Sequence, residues 1–196
     1  MLQPCYCKSN KPFSQCCEPF LRVLEVPKSA LELMRSRYSA YCLGDVNYLQ
    51  ATTHDHTWTD EELKFIQDWA DNSFWQHLEI VQSDEEMVEF KAYYIFEGKQ
   101  HMHHEKSTFI KVNDMWKYVD GEIYEDKVEF LRNAACICGS GDKYKRCCLK
   151  GISNNPSCPK GEFCKRNLAQ NIYCILARAR TYKSFAQSYI CKTHCG

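Results

Sequence analysis

Two stretches in the first half of the chain carry apolar residues at helical spacing. The first begins at a capping-box sequence, Ser29 to Glu32, and ends at Gly44, a residue suited to a left-handed C-terminal cap. Its apolar positions are Leu31, Met34, Tyr38, Tyr41 and Cys42. The second begins at another capping box, Thr59 to Glu62, and its apolar positions are Leu63, Ile66, Trp69, Ala70 and Phe74. Two amphipathic helices are therefore predicted.

From Trp75 onward the apolar period changes from 3.6 to 2, which is the period of β-strands. The predicted strands are 76–82, 87–96, 101–112 and 115–120. Turn sequences separate them, such as Ser83-Asp84 and Asn113-Asp114. Helices followed by an antiparallel meander predict an α+β domain, in which a curved sheet commonly wraps the helices around a cavity.

Composition indicates a folded, soluble protein. The chain has 196 residues, 44% of them hydrophobic and 13% aromatic, which is enough to bury a core and argues against a disordered tail. Its 25 basic and 25 acidic side chains cancel, which disfavours a nucleic-acid coat or a membrane-surface protein. The sequence shows neither a signal-peptide pattern nor an apolar run of about 18 residues, so a cytoplasmic location is expected.

Charge and cysteine are unevenly distributed, and this divides the chain. Residues 28–132 carry 11 basic and 21 acidic side chains, whereas residues 133–196 carry 11 and 2. Four of the 14 cysteines precede residue 28, and nine follow residue 133. We therefore expect a Cys-rich head (1–27), an acidic central domain (28–132), a second Cys-rich motif (133–150) and a basic extension (151–196).

Eight of the cysteines form an internal repeat with metal-site spacing. Each copy reads C-x-C-x8-C-C, and the eight residues are Cys5, Cys7, Cys16, Cys17, Cys136, Cys138, Cys147 and Cys148. Four thiolates in a short loop match tetrahedral zinc and leave no position open for water, so two structural zinc ions are predicted. The alternative reading is buried or oxidised thiols. The repeated spacing, together with a reducing cytoplasm, favours metal.

Residues 136–148, CICGSGDKYKRCC, resemble the SEC-C zinc motif found at the tail of the SecA translocase ATPase. The first copy departs from that pattern, with Lys8-Ser9-Asn10 in place of Gly-Ser-Gly. Asn tolerates the left-handed backbone that Gly supplies, so we expect this loop to close as well. The resemblance implies zinc in both knuckles.

Four segments of the centre, at 33–41, 48–54, 105–109 and 116–121, resemble the YchJ-type family. The likeness covers roughly residues 3–150. It implies a central domain similar to nuclear transport factor 2, a cone-like (cystatin-like) fold of helices and a curved antiparallel sheet, flanked by two small zinc knuckles. The family is a predicted metal-binding group without an agreed reaction, so the resemblance implies no activity.

The third predicted strand carries polar residues on one face, His101, His103, Glu105 and Ser107. Two histidines and a carboxylate could form a metal triad or an acid/base set. Alternate positions along a strand spread over about 13 Å, however, which favours a polar, partly solvated face. Glu105 and Ser107 fit better as polar groups of a pocket, and the next strand could bring Asp120 near them.

Arg35 and Arg37 lie about 200° apart on the first predicted helix, so at most one of them faces the core. That one requires a carboxylate partner, such as Glu105 or Asp120, and forms either a structural ion pair or a site for an anionic ligand. The candidate pocket residues are Arg35, Glu105, Ser107, Trp116, Tyr118 and Asp120.

The tail offers a third cysteine group and a basic helix. A third zinc could bind Cys158, Cys164, Cys191 and Cys195, although their spacing matches no known pattern and loose thiols or disulfides are the alternative. Apolar and basic residues at helical spacing in 167–190 predict a helical extension. That helix either docks on the acidic centre or contacts RNA, the ribosome or anionic lipid.

Three functions follow, in this order. The first is a zinc-stabilised interaction or adaptor module with a protein partner, holding two zinc ions, or three if the tail site binds one. The second is a small-ligand or catalytic pocket in the central domain. The third is RNA or ribosome contact through the tail. No Gly-rich phosphate loop, nucleophile elbow or HExxH pattern is present, so no catalytic residue is assigned and an enzyme is disfavoured.

Overall fold

A computed structural model describes residues 3–96, 99–126, 132–137, 140–147 and 149. Its α-helices are α1 (Glu18–Leu21), α2 (Ala30–Leu43), α3 (Val46–Ala51) and α4 (Asp60–Asn72). Its strands are β1 (Phe74–Ser83), β2 (Met87–Phe96), β3 (Lys99–Val112) and β4 (Met115–Tyr124). Single turns of 3-10 helix lie at Phe13–Gln15 and Tyr144–Arg146.

Both long helices begin where the sequence predicts, but α4 ends at Asn72, so Phe74, which was predicted to belong to this helix, is the first residue of β1. Thr59 and Glu62 form the complete capping box of α4, with Glu62 N donating to Thr59 Oγ1 at 3.2 Å and Thr59 N to Glu62 Oε2 at 2.9 Å. Gly44 ends α2 with φ 71°. The α2 box forms only in part, because the Glu32 carboxylate accepts from Lys28 N rather than from the cap residue. Helix α3 was not predicted as a separate element.

The four strands form one antiparallel sheet in the order β1-β2-β3-β4, which confirms the predicted meander and the α+β class. Register shifts interrupt β1–β2 pairing between Trp75 and His77 and again between Ile80 and Gln82, and a third interrupts β3–β4 pairing between Thr108 and Phe109. Bulges of this kind bend strands and increase their twist. Helix α2 packs against β1, β2 and β4, and this places it across the concave face of the sheet.

Two apolar clusters hold the described residues together. The larger contains residues of α2 and the sheet together with Cys5, Cys7 and Cys17, so the N-terminal cysteine loop is part of the main core. The smaller joins Cys136 and Tyr144 to Ile95, and thus packs the second loop on the β1–β2 end of the sheet. Among the described helices, none has both the length and the apolar character needed to cross a membrane.

Candidate functional site

The N-terminal cysteine loop brings four sulfur atoms into one cluster. The Sγ atoms of Cys5, Cys7, Cys16 and Cys17 all lie within 4.8 Å of one another. The distance from Cys7 to Cys16 is 3.6 Å, and that from Cys16 to Cys17 is 3.8 Å. Zinc–sulfur bonds of about 2.3 Å in a tetrahedron separate the sulfurs by about 3.8 Å. The four side chains therefore fit a tetrahedral zinc ion.

The backbone of this loop depends on two left-handed residues. Lys8 has φ 57° and Asn10 has φ 65°, at the positions where a SEC-C motif has glycine. The turn is closed by Cys5 N donating to the Lys11 carbonyl at 2.9 Å. The expectation that the loop closes without Gly-Ser-Gly is confirmed, because Asn and a solvent-facing Lys adopt the required conformation.

The second loop repeats these contacts 131 positions later. Cys136 N donates to the Asp142 carbonyl at 2.6 Å, as Cys5 N does to Lys11, and Gly141 has φ 80° at the position of Asn10. The bridge between Ala135 and Lys143 likewise matches the bridge between Pro4 and Pro12. Cys138 and Cys148 lie outside the described residues. The part of the second loop that is described therefore has the backbone of a knuckle.

A serine hydroxyl contacts the third cysteine in both knuckles. The distance from Ser9 Oγ to Cys16 Sγ is 3.1 Å, and that from Ser140 Oγ to Cys147 Sγ is 3.2 Å. These third cysteines are only partly buried, whereas Cys5, Cys7, Cys17 and Cys136 are buried. A hydroxyl that donates to a thiolate stabilises its charge and fixes the ligand's orientation.

Without metal, the N-terminal cluster holds its negative charge unevenly. Hydrogen bonds from Cys17 and Cys5 lower the pKa of Cys7 far below the ordinary thiol value. The pKa of Cys17 is raised far above it, because its proton is held in hydrogen bonds to Cys5 and Cys7 and because burial opposes a second charge. The raised pKa values of Cys5 and Cys17 beside the lowered one of Cys7 show that neighbouring thiolates oppose one another here, so a cation would be needed to hold four of them.

Arg35 lies at the knuckle, which corrects its assignment to the pocket. Its Nη1 donates to the Cys7 carbonyl at 3.1 Å and lies 4.0 Å from Cys7 Sγ. It is not among the residues that line the central cavity, whereas Arg37 is. The helical rotation of about 200° between the two was recognised from the sequence, but the wrong one was assigned to the interior.

A cavity of about 410 Å³ lies between α2, α4 and the concave face of the sheet. Its apolar walls are largely aromatic, formed by Tyr38, Tyr41, Trp58, Trp69, Trp75, Phe90 and Tyr118. Its polar lining consists of Arg37, Thr53, His54, Asp55, His56, His103, Glu105, Ser107 and Asp120. Its volume lies within the range of small-molecule sites, and its lining is about equally polar and apolar.

Glu105 is the best-connected polar group of the cavity. Ser107 Oγ donates to its Oε1 at 2.6 Å and Tyr118 Oη to the same atom at 3.2 Å, while His103 Nε2 lies 2.7 Å from Oε2. Burial opposes ionisation of this carboxyl, but these hydrogen bonds and the charge of His103 outweigh it, so its pKa is lowered from 4.5. Because an ionised carboxylate only accepts, His103 Nε2 donates.

Gly121 makes room for that carboxylate. A Cβ atom at this position would lie 2.0 Å from Glu105 Oε1. Ser107 and Gly121 are paired in the β3–β4 register, so the hydroxyl that donates to Glu105 lies on one strand and the space for the carboxylate on the next. The sequence motif that contains Gly121 therefore serves the Glu105 site.

Arg37 is the cavity's buried cation. Its Nη1 donates to the Leu49 carbonyl at 2.9 Å, to Thr52 Oγ1 at 2.7 Å and to Thr53 Oγ1 at 3.3 Å. Its guanidinium carbon lies 4.7 Å from the ring centre of Tyr118. The prediction of a carboxylate partner is wrong for the described part of the chain. No Asp or Glu there lies within ion-pair distance of Arg37.

Of the remaining predicted pocket residues, two line the cavity and one does not. Tyr118 and Asp120 line the cavity beside Glu105 and Ser107. Trp116 does not line it, and lies 9% exposed in the main core instead. It shares a face with Tyr118 in an alternating strand, but lies one step nearer the β3–β4 turn.

The loop after α3 forms the rim of the cavity, a feature that was not predicted from the sequence. His54 N donates to the Tyr118 carbonyl at 2.7 Å, and Tyr118 N to the Thr52 carbonyl at 2.9 Å. This parallel bridge carries the residues 54–56 to the cavity, although they could have been an ordinary hydrated loop. Their detection would have required the long-range pairing of this loop with β4.

The β3 histidines do not form a metal triad. His103 is bonded to Glu105, whereas His101 stacks on Tyr94 with ring centres 5.4 Å apart. Within the described ranges, only the four N-terminal cysteines bring three or more candidate ligand atoms together. The third zinc site predicted at Cys158, Cys164, Cys191 and Cys195 and the basic helix lie outside those ranges.

Comparison with known proteins gives two family matches. Residues 29–121 match the family described as YchJ, middle NTF2-like domain, and residues 132–150 match the SEC-C motif. The match to the NTF2-like domain contains α2–α4 and β1–β3 complete, with most of β4. The cavity-lining residues named above all fall within it, and it confirms the expected fold.

Curated relatives and one solved structure agree with these two family matches. A UPF0225 protein of Geobacter sulfurreducens is 38% identical over 159 residues, which are 76% of this chain and 99% of the relative. A UPF0225 protein of Vibrio cholerae is 38% identical over 150 residues, 74% and 98% of the two chains. The solution structure of a SEC-C motif containing protein from Rhodopseudomonas palustris is 30% identical, with a TM-score of 0.52, over 63% of this chain and all of the other.

Proposed function

Because the chain belongs to the UPF0225 (YchJ) family of SEC-C proteins, we propose that it is a small-molecule-binding protein whose NTF2-like domain is stabilised by structural zinc in two knuckles. The observation that carries the binding function is the cavity of about 410 Å³, which contains the buried charges of Arg37 and Glu105 among aromatic walls. Burying a charged side chain costs desolvation free energy, so buried charges usually have partners that offset this cost. A cavity packed full by its aromatic residues would have argued against a ligand.

A fragment screen tests the binding function. Ligand-observed NMR with the zinc-loaded full chain should find fragments whose signals are lost in Ala92→Leu, since Ala92 lines the cavity and the larger side chain fills it. Val81→Leu is the matched control, because Val81 is 46% exposed and does not line the cavity. If no fragment distinguishes the two variants, the cavity is not a binding site.

The zinc ions are proposed to be structural. The N-terminal sulfur positions support a closed tetrahedral site, and four thiolates exclude the water that catalytic zinc requires. Reduced protein should carry two zinc ions by native mass spectrometry, or three if the tail site also binds one. Cys17→Ser should lose one of them, and Cys42→Ser should lose none, because Cys42 is buried outside the cluster. Equal zinc content in the two variants would show that the N-terminal cysteines do not bind zinc.

An adaptor role is the second candidate, and an exposed apolar segment favours it. Val23, Leu24 and Val26 follow the N-terminal knuckle and are 82%, 75% and 51% exposed. Neighbouring apolar side chains in water commonly mark a protein contact. A photo-crosslinking residue at position 24 should capture one defined partner in cells, and capture should be lost on Val23→Ser. The same crosslinker at position 81 is the control, and equal capture there would contradict the adaptor role.

The third alternative, RNA or ribosome contact, depends on residues 151–196, which lie outside the described residues. It stays a prediction, and so do the domain boundaries at residues 27, 132 and 150. A cytoplasmic location is part of the proposal, because thiolate zinc sites persist in a reducing compartment. RNA binding that survives deletion of 151–196 would exclude the tail as its cause.

A further inference from the structure

The Arg37 guanidinium is a buried charge that lacks a counter-ion in the described part of the chain. The residue is 7% exposed and lines the central cavity. Its hydrogen-bond partners are a carbonyl and two hydroxyls, all of them neutral. Within the described ranges, no carboxylate oxygen lies within 4.0 Å of its nitrogens. A buried Arg cannot escape this by losing its proton, because its pKa exceeds that of any other side chain.

The hydrogen bonds of Arg37 are also incomplete. A guanidinium has five N–H donors, and all three bonds to described residues come from Nη1. Its Nε and Nη2 take no acceptor among those residues. Three acceptors around Nη1 fix the orientation of the planar group, and the Tyr118 ring, 4.7 Å away, supports it. The group is thus held in place with part of its donor capacity unused.

None of the described carboxylates that line the cavity pairs with the guanidinium of Arg37. Glu105 already accepts from His103, Ser107 and Tyr118, which stabilise its charge. Asp55 and Asp120 line the cavity as well, but both are exposed, so water stabilises them. Glu105 is therefore fully hydrogen-bonded, whereas the Nε and Nη2 groups of Arg37 have no acceptor among the described residues.

We propose that Arg37 binds the anionic group of the cavity's ligand, and that the ligand is a small planar aromatic carboxylate. The inference rests on the proposed binding function and names its ligand class. A carboxylate matches the fork of a guanidinium and supplies both the missing charge and the missing acceptors. The flat body follows from the walls, because Trp58, Trp69 and Tyr41 offer ring faces and edges for stacking.

The test compares three probes with the same ring system and different charge. Indole-3-carboxylate, indole-3-carboxamide and the amine indol-3-ylmethanamine are titrated into the zinc-loaded full chain by calorimetry. We expect the carboxylate to bind at least about tenfold more tightly than the amide, because hydrogen bonds to a charged partner contribute most. The amine should bind more weakly than either. Equal binding of acid and amide, or preference for the amine, would overturn the anionic class.

Two arginine variants separate the site from general charge effects. Arg37→Gln should weaken carboxylate binding by about tenfold to a hundredfold and abolish the preference over the amide. Arg22→Gln, at an exposed position outside the cavity lining, should leave it unchanged. If Arg37→Gln does not fold, Arg37→Lys decides, since it keeps the charge but loses the planar fork and should show an intermediate affinity.

The outcomes separate this inference from the function on which it rests. Neutral fragments that bind in the Ala92→Leu-sensitive cavity, with no carboxylate preference, would overturn the ligand class and leave the binding function standing. No saturable binding of any probe or fragment would overturn both. A carboxylate preference that survives in Arg37→Gln would move the anion site away from Arg37.

Discussion

Arg35 and Arg37, two positions apart on α2, serve different parts of the protein. Arg35 donates to the Cys7 carbonyl in the N-terminal knuckle, whereas Arg37 lines the central cavity and donates to Thr52 beside its rim. A rotation of about 200° along the helix places them on opposite sides. About half a helical turn therefore separates the arginine at the candidate zinc site from the arginine at the candidate ligand site.

Gly121→Ala should destabilise the protein. The new Cβ would lie 2.0 Å from Glu105 Oε1, so the carboxylate must leave its hydrogen bonds to Ser107 and Tyr118. We expect the free energy of unfolding in urea to fall by about 2 kcal/mol or more. In a Glu105→Ala background the same substitution should cost much less, because the clash is gone. Equal costs in both backgrounds would mean that Glu105 does not occupy this space.

Ser9→Ala and Ser140→Ala should each weaken zinc binding at their own knuckle. Each hydroxyl lies within 3.2 Å of the sulfur of the third cysteine, and loss of a partner of this kind commonly costs tenfold to a hundredfold in metal affinity, about that range here. Competition with a chromogenic chelator measures the change. Ser14→Ala, an exposed serine of the same loop, is the control. Weakening of Ser14→Ala to the same degree would count against the hydroxyl–sulfur contact.

The two knuckles should differ in their effect on stability. Cys17 is buried in the main core cluster, while Cys136 packs in the smaller cluster at one end of the sheet. Cys17→Ser should lower the free energy of unfolding by about 4 kcal/mol, as loss of a structural metal does, and broaden the main transition. Cys136→Ser should leave most of that transition intact. The reverse order in urea unfolding would contradict this packing.

Stability should depend on pH through Glu105. Because its folded pKa is lowered below 4.5, its ionised form stabilises the protein above that pH, and the contribution is lost as the pH falls through the folded value. The stability difference between wild type and Glu105→Gln should therefore shrink below pH 4.5. Arg37 and His103 face the same cavity and are common to both proteins.

Urea unfolding between pH 7 and pH 4 measures this difference. Glu122→Gln, at an exposed position of β4, is the control for general charge effects, and zinc loss at low pH affects all three proteins alike. A difference that is constant with pH would show that the pKa of Glu105 is the same in the folded and unfolded protein and is not lowered by folding.

Local sequence patterns were sufficient to predict the helices and strands, but not to identify the residues of the candidate site. Period-2 alternation and turn residues placed the strands within a few residues, and the cysteine spacing identified the knuckle whose sulfurs meet. Periodicity also put Arg35 and Arg37 on opposite sides of α2, but it carries no information on what covers each side. Arg37 could be assigned to the cavity only from the tertiary packing of α2 on the sheet.

The rim of the cavity, formed by residues 54–56, was missed for a related reason. The bridge between Thr53 and Tyr118 joins residues 65 positions apart, and no local signal encodes it. The register shift at Thr108 and Phe109 likewise lies between the partners Asp120 and Tyr118 on β4, and both of these residues line the cavity. Long-range register and bulges are set by the assembled core, which the sequence pattern describes only in outline.

The third cysteine of each knuckle also bears on how a bound metal would be exchanged. Cys16 and Cys147 occupy the same place in the repeat, are only partly buried, and are each contacted by a serine. We expect a chelator, a zinc-delivery protein or peroxide to reach Cys16 first, because the other three cysteines of the N-terminal knuckle are buried. Loading, unloading and oxidation of that knuckle should therefore begin at one vertex of the tetrahedron, and the serine beside it should affect the rate of each process.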